Sequence, residues 1–156
     1  MSGVGYKAQI SQALQNRVEL VSKANGYSQD IKTVTWEKVR LNIQDYEDRE
    51  LPAVQIIGTL KNFNHEMSRS KSVWYPVLEV CLRTTQTIGI VDQGILFDLT
   101  EDVIRAVMAE PKLGLPWVVM TRLVDELSGL HLQEPNYIAT IGLEVMYYEP
   151  ITRDNC

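Results

Sequence analysis

Few residues in this chain are of the types that do chemistry, and their spacing limits what that chemistry could be. The two histidines, His65 and His131, lie far apart, each in a polar stretch. A metal site would need a spacing such as H-x-x-x-H or C-x-x-C, and neither is present; both read as exposed loop histidines. Of the two cysteines, Cys81 falls inside an apolar run and Cys156 is the last residue. No histidine neighbours Cys81 and no G-x-S-x-G occurs, so no activated nucleophile is expected. Cys81 reads as a small core thiol, which suits a reducing compartment. Asp45, Glu47, Asp48 and Glu50 have the carboxylate density of a cation loop but not the glycine and spacing of an EF-hand, and read as a solvated connector. The glycines of "MSGVGYK" have no strand before them, which a dinucleotide-binding turn requires. The expectation is of no catalytic, cofactor-binding or metal-binding residue.

One stretch stands out by charge. Lys61 to Ser72, "KNFNHEMSRSKS", is the most basic part of the chain, with His65, Arg69 and Lys71 beside Phe63, Trp74 and Tyr75. It reads either as a contact surface for an acidic partner, protein or DNA, or as a solvated hairpin tip. Long loops within a compact domain are often functional. Lys61, Arg69, Lys71, Trp74 and Tyr75 are therefore the candidate interface residues.

The elements that would position them follow from periodicity. A helix is expected over about Tyr6 to Asn25, where Ile10, Leu14, Val18 and Val21 form one stripe and Gly26 follows. Ile31 to Ile43 turns to β with a parity change between Trp36 and Val39, suggesting a bulge or bend. Gln44 to Glu50 is a polar connector. A strand starts at Pro52 and reaches about Leu60, with apolar side chains on both faces. After the basic loop, "VWYPVLEVCLRTTQ" reads as its hairpin partner. Asp98 to Glu110 is a second helix, opened by the capping-box pattern "DLTE". Strands over about Trp117 to Leu127 and Asn136 to Glu149 complete the chain; the second alternates without a miss.

The order α-β-β-β-α-β-β predicts an α+β domain: a mostly antiparallel sheet of four to five strands with two helices on one face. At 156 residues a single domain is expected, with tails at 1–5 and 150–156. A net charge of −5 argues against a nucleic-acid binder, and no apolar run approaches a membrane span or a signal peptide. Two helices cover one face of such a sheet, so strands apolar on both faces point to self-association. The alternative is that the helices and a bent first ribbon cover both faces within one chain.

Beyond periodicity, the pieces resemble in order and spacing the tail terminator (tail completion) proteins of tailed bacteriophages. The carrying features span about residues 6 to 149: the first helix ending in "NGY", "LPAVQI" after a charged connector, then a polar loop and a long apolar strand. The second helix runs into "AEPKLGL", and the last strand ends "VMYYEP". The resemblance implies a structural virion protein without catalysis or cofactors. It implies a ring, usually a hexamer, on the last tail-tube ring at the neck end of the tail. The partners would be other copies, tail-tube protein and neck or connector proteins, with DNA passing through the lumen without sequence-specific binding and no membrane contact. Other phage neck or head–tail connector proteins share this size and composition. A small-molecule-binding α+β domain with a pocket among the aromatic-rich strands is the reading from a different class.

Overall fold

The strict alternation from Tyr137 to Tyr147 builds the longest strand, and the rest of the fold is laid along it. The computed structural model describes residues 5–40, 42–58, 71–83, 93–125, 128–133 and 136–148. Its elements are α1 (Tyr6–Val18), β1 (Thr33–Thr35), β2 (Ala53–Ile57), β3 (Lys71–Trp74), β4 (Val77–Arg83), α2 (Gln93–Met108), β5 (Val118–Leu123), β6 (Gly129–Gln133) and β7 (Asn136–Tyr148). Along one edge of β7 lie β3 and β4, and along the other lie β5 and β6, all antiparallel. Outside β4 comes β2, antiparallel, and then β1, parallel to β2.

The α+β class, the mostly antiparallel sheet and the helix and strand order agree with the sequence reading. The strand number differs, seven rather than four to five, for two reasons. Pro76 splits what the sequence suggests is one strand. Trp74 pairs with Val145 and Val77 with Gly142, so the register is unbroken, and the Leu143 N–H still donates to the Pro76 carbonyl at 2.9 Å. Only the missing proline N–H interrupts the ladder. In addition, β6 forms where a polar connector was expected, and His131 lies on this edge strand, opposite Ile138.

One face of the sheet carries both helices. Ile10, Leu14 and Val18 of α1 and Leu96, Leu99, Val103, Ala106 and Val107 of α2 pack with Val54, Ile56, Leu78, Val80 and the odd-numbered residues of β7 from Tyr137 to Tyr147. Fully burying one such aliphatic side chain is worth about 1.5–3 kcal/mol, so this layer dominates the fold. Tyr6, Trp117 and Tyr147 close one end in an aromatic cluster with centroids 4.8–6.0 Å apart, Trp117 meeting both tyrosines edge to face. Polar ties set the helices relative to each other and to the loops: Arg17 Nε donates to the Ala106 carbonyl at 3.0 Å, and the N–H and hydroxyl of Ser28 both donate to the buried Asp102 carboxylate.

Helix and strand limits depart from periodicity where side chains redirect the backbone. The helix expected to reach Asn25 ends at Val18, because Ser22 caps a separate 3₁₀ turn, Lys23–Asn25; Gly26, at φ 90°, terminates that turn. Val21 still joins the core. The second helix begins at Gln93 rather than Asp98. The "DLTE" residues lie within it, and Thr100 donates to the Leu96 carbonyl one turn back. In place of a long bent ribbon over Ile31 to Ile43, β1 has three residues. There the Thr35 hydroxyl closes a turn onto the Lys38 carbonyl, and the Trp36 indole donates to Gln12 of α1.

The second face of the sheet is covered at one end by the connector itself. Residues 42–51 hold two 3₁₀ turns, Ile43–Asp45 and Asp48–Glu50. Ile43, Tyr46 and Leu51 descend onto Ala53, Cys81 and Ile138 as a second, smaller core. Gln55, the polar residue in the middle of β2, anchors this strap. Its Oε1 accepts from the Tyr46 hydroxyl and the Arg40 N–H, both at 2.6 Å, and its Nε2 donates to the Arg40 carbonyl and to Glu79. Arg83 reaches across with bonds to the Tyr46 and Ile43 carbonyls, Asp48 and Asn136. The double-sided burial of β2 is thus satisfied largely within the chain, by the connector, which sequence composition marks as solvated.

Candidate functional site

Beyond the strap, the second face of the sheet is partly exposed among the described residues, from the buried Val73 to the exposed Met120 and Tyr148, and two cross-strand rows define it. The first row is Val73, Met146 and Met120, taken from β3, β7 and β5. The next is Tyr75, Glu144 and Arg122, with Tyr75 in register between β3 and β4 and Arg122 directly opposite Glu144. Alternation places these side chains away from the helices, because their neighbours Trp74, Val145 and Thr121 face the core.

The middle row is a polar brace. Arg122 holds Glu144 through Nε at 2.6 Å and through Nη2 at 3.2 Å, a two-pronged charge-assisted contact. The Tyr75 hydroxyl donates to the same carboxylate at 3.1 Å. The bond from Arg122, and then that from Tyr75, keep the Glu144 carboxyl below its ordinary value of 4.5 despite partial burial. Burial, and then the hydrogen bond to Glu144, push the Tyr75 phenol upward, so it remains a donor. Around the brace stand exposed apolar groups, Met120 at 51% and Tyr148 at 47%.

The brace has a pH signature. A carboxylate whose folded pKa is depressed stabilises the fold above its unfolded pKa, and that contribution is lost as pH falls through the folded value. Thermal stability is therefore expected to drop below about pH 4.5, by about 1 kcal/mol or less because the arginine of the pair is largely exposed. In Glu144→Gln that part of the acid titration should flatten. Superimposable acid profiles for the two proteins would show that the brace contributes nothing.

Of the residues expected to form an interface, the structure places Tyr75 on this face, and Lys71 takes a register position of the same parity in β3. Tyr75 lies in the brace. Trp74 does not stand on the surface: it is 3% exposed and packs in the main core, because its parity along the strand is that of Val145 rather than of Glu144. Lys71 opens β3 opposite Tyr148. Lys61 and Arg69, with His65 and the rest of the basic loop through Ser70, lie outside the described residues. Arg122, Glu144 and Met120 were missed. The available signal was a lone arginine and a lone glutamate, each interrupting an apolar strand.

Three carboxylates of the acidic run sit in ion pairs. Asp48 pairs with Arg83, Glu50 with Arg40 and Glu47 with Arg49. Among the described residues no group of three or more His, Cys, Asp or Glu is placed to hold a metal ion, and no helix is long and apolar enough to cross a membrane. Burial pushes the Cys81 thiol up to about 12, which makes it inert at neutral pH. In comparisons with known proteins, no protein-family model matches the chain and no curated protein matches its sequence.

Proposed function

We propose that this chain is a structural virion protein that assembles into a ring on the end of a bacteriophage tail tube, stops tube polymerisation and joins the tail to the neck. The observation that carries the reading is the part of the second sheet face on which Met120 and Tyr148 stand exposed. Methionine, tyrosine and arginine are the residues enriched where proteins meet. Here Met120, Tyr148, Tyr75 and Arg122 are held on a rigid sheet, with the arginine fixed by Glu144. Such a face suits contact with another protein more than capture of a small ligand, which calls for an enclosed site with convergent polar groups. The order of elements, from the first helix to the aromatic end of β7, is that of the tail terminator resemblance. The acidic balance, −5 overall, fits a lumen through which DNA slides without adhering. The reading assigns the chain no reaction, no cofactor and no membrane contact, and locates it in the virion.

Light scattering after size exclusion, with negative-stain images taken alone and beside tail-tube protein, tests the assembly. The expected result is a closed ring, hexameric, that binds tube ends. Met120→Lys combined with Tyr148→Ser, both at exposed positions that leave the Arg122–Glu144 pair in place, should leave the fold intact and weaken assembly or tube binding. A wild-type chain that stays monomeric at high concentration and ignores tail tubes defeats the proposal.

A further inference from the structure

Among the described residues, the helix-bearing face of the sheet is not sealed at its β6 edge. Between α2 and the β5–β6 edge runs an open cleft of about 310 Å³, lined by Thr100, Ile104, Leu123, Leu130 and Ile141, with Asp125 at its rim. Leu123 and Leu130 belong to the inward parity of their strands, opposite Leu143 and Ala139. They remain 39% and 48% exposed because α2 stops short of covering them. On the shoulder of α2, Phe97 stands two helical turns before Ile104, is 43% exposed and shares its face of the helix. Glu101, exposed, follows Phe97 by one turn. The charged residue described in the lining of this cleft is a carboxylate, Asp125, and much of the floor is aliphatic.

A matching segment must present apolar side chains between cations. The chain holds such a segment in Lys61 to Ser72, where Phe63 and Met67 alternate with Lys61, Arg69 and Lys71 against a single acid, Glu66. We infer that the α2–β6 cleft is the acceptor for the basic Lys61–Ser72 segment of a second copy of this chain. The inference rests on the ring reading and gives that ring its joint. The contact is heterologous, donor on one copy and acceptor on the next, which is the geometry that closes into rings rather than into symmetric dimers. It also accounts for two unlike features of one chain: a segment rich in cations, and an apolar cleft with a carboxylate in its lining.

Charge reversal separates the two surfaces. An acceptor variant, Glu101→Lys with Asp125→Lys, and a donor variant, Lys61→Glu with Arg69→Glu, alter exposed acceptor side chains or the polar donor segment. Circular dichroism melts should match wild type. Under the conditions in which wild type assembles, each variant should associate more weakly by on the order of a hundredfold, as expected for like charges brought together. Mixed one to one, the two should assemble again into a ring in which they alternate, because the native donor of one variant meets the native acceptor of the other and the reversed donor meets the reversed acceptor. A mixture that stays as unassembled as each variant alone counts against the pairing. Leu130→Ser, which empties the cleft without changing charge, should also weaken assembly. A ring unchanged in the acceptor variant and in Leu130→Ser overturns the inference and leaves the ring reading standing. A wild-type chain that forms no ring, alone or on tubes, overturns both.

Discussion

Trp74→Ala is expected to cost about 3–5 kcal/mol of folding stability, the range for truncating a large buried aromatic. The indole is 3% exposed and lies in the main core, on the parity of β3 that faces the helices. Its fit depends on Gly58, just past β2. A Cβ built on Gly58 would sit 2.1 Å from the Trp74 ring carbon Cζ2, far inside contact distance. Gly58→Ala should therefore be destabilising by about 1–3 kcal/mol through overpacking, although the position is exposed and the change is one methyl group. The two substitutions share one volume, so their effects should not add. In the Trp74→Ala background the methyl at position 58 meets a cavity instead of a ring, and the added cost should shrink towards zero. Urea unfolding of the four proteins measures this cycle. Strict additivity would mean that Gly58 and Trp74 do not touch in solution. A Trp74→Ala protein of wild-type stability that fails only in assembly would return the residue to the surface role its sequence context suggests.

Trp74 also shows where sequence reading stops. Its strand could be recognised, and so could the basic loop before it, but which face an aromatic occupies depends on register with a strand far along the chain. Tyr75, one position on, takes the open face only because Glu144 lies opposite it in β7. By contrast, the alternation of Tyr137, Ala139, Ile141, Leu143, Val145 and Tyr147 is local, strand-length and unambiguous, and all six are buried. The hairpin of β2 and β4 was legible for the same reason, two apolar runs flanking a polar segment. The parallel pairing of β1 with β2 was not, since three residues give no periodicity and their partner is fixed through the strap that separates them in sequence. The start of α2 was misplaced because "DLTE" has capping chemistry at any helical position. Only the burial of Leu96 shows that the helix has already begun. Gln55 was the overlooked clue. A glutamine in the middle of a strand apolar on both faces must find partners for its amide, and those partners are the connector.

That connector yields the second large effect. Arg83→Ala should release the strap of residues 42–51 from the sheet while leaving the helix-bearing face folded. The guanidinium serves four acceptors at once: the carbonyls of Ile43 and Tyr46, the Asp48 carboxylate and the Asn136 side chain. Removing it leaves partly buried acceptors without that partner, at about 1–3 kcal/mol for each one that water cannot reach, so the closed strap should lose roughly 2–4 kcal/mol. Cys81 reports the loss directly, because the strap residues Ile43, Tyr46 and Leu51 share its small core and burial holds its thiol near 12. Once the strap lifts, the thiol regains water, its pKa falls back toward the ordinary range, and it becomes nucleophilic. In a Cys156→Ser background, labelling of Cys81 by an aromatic disulfide should accelerate by roughly 30- to 700-fold, the same free energy expressed as an opening equilibrium. The rate should exceed that set by global unfolding of the same variant, since only the strap has opened. Arg83→Lys keeps the charge but not the forked donor set and should fall between the two. Labelling limited by global unfolding in every variant would mean that strap and sheet open together, and that the second face is as firmly closed there as the first.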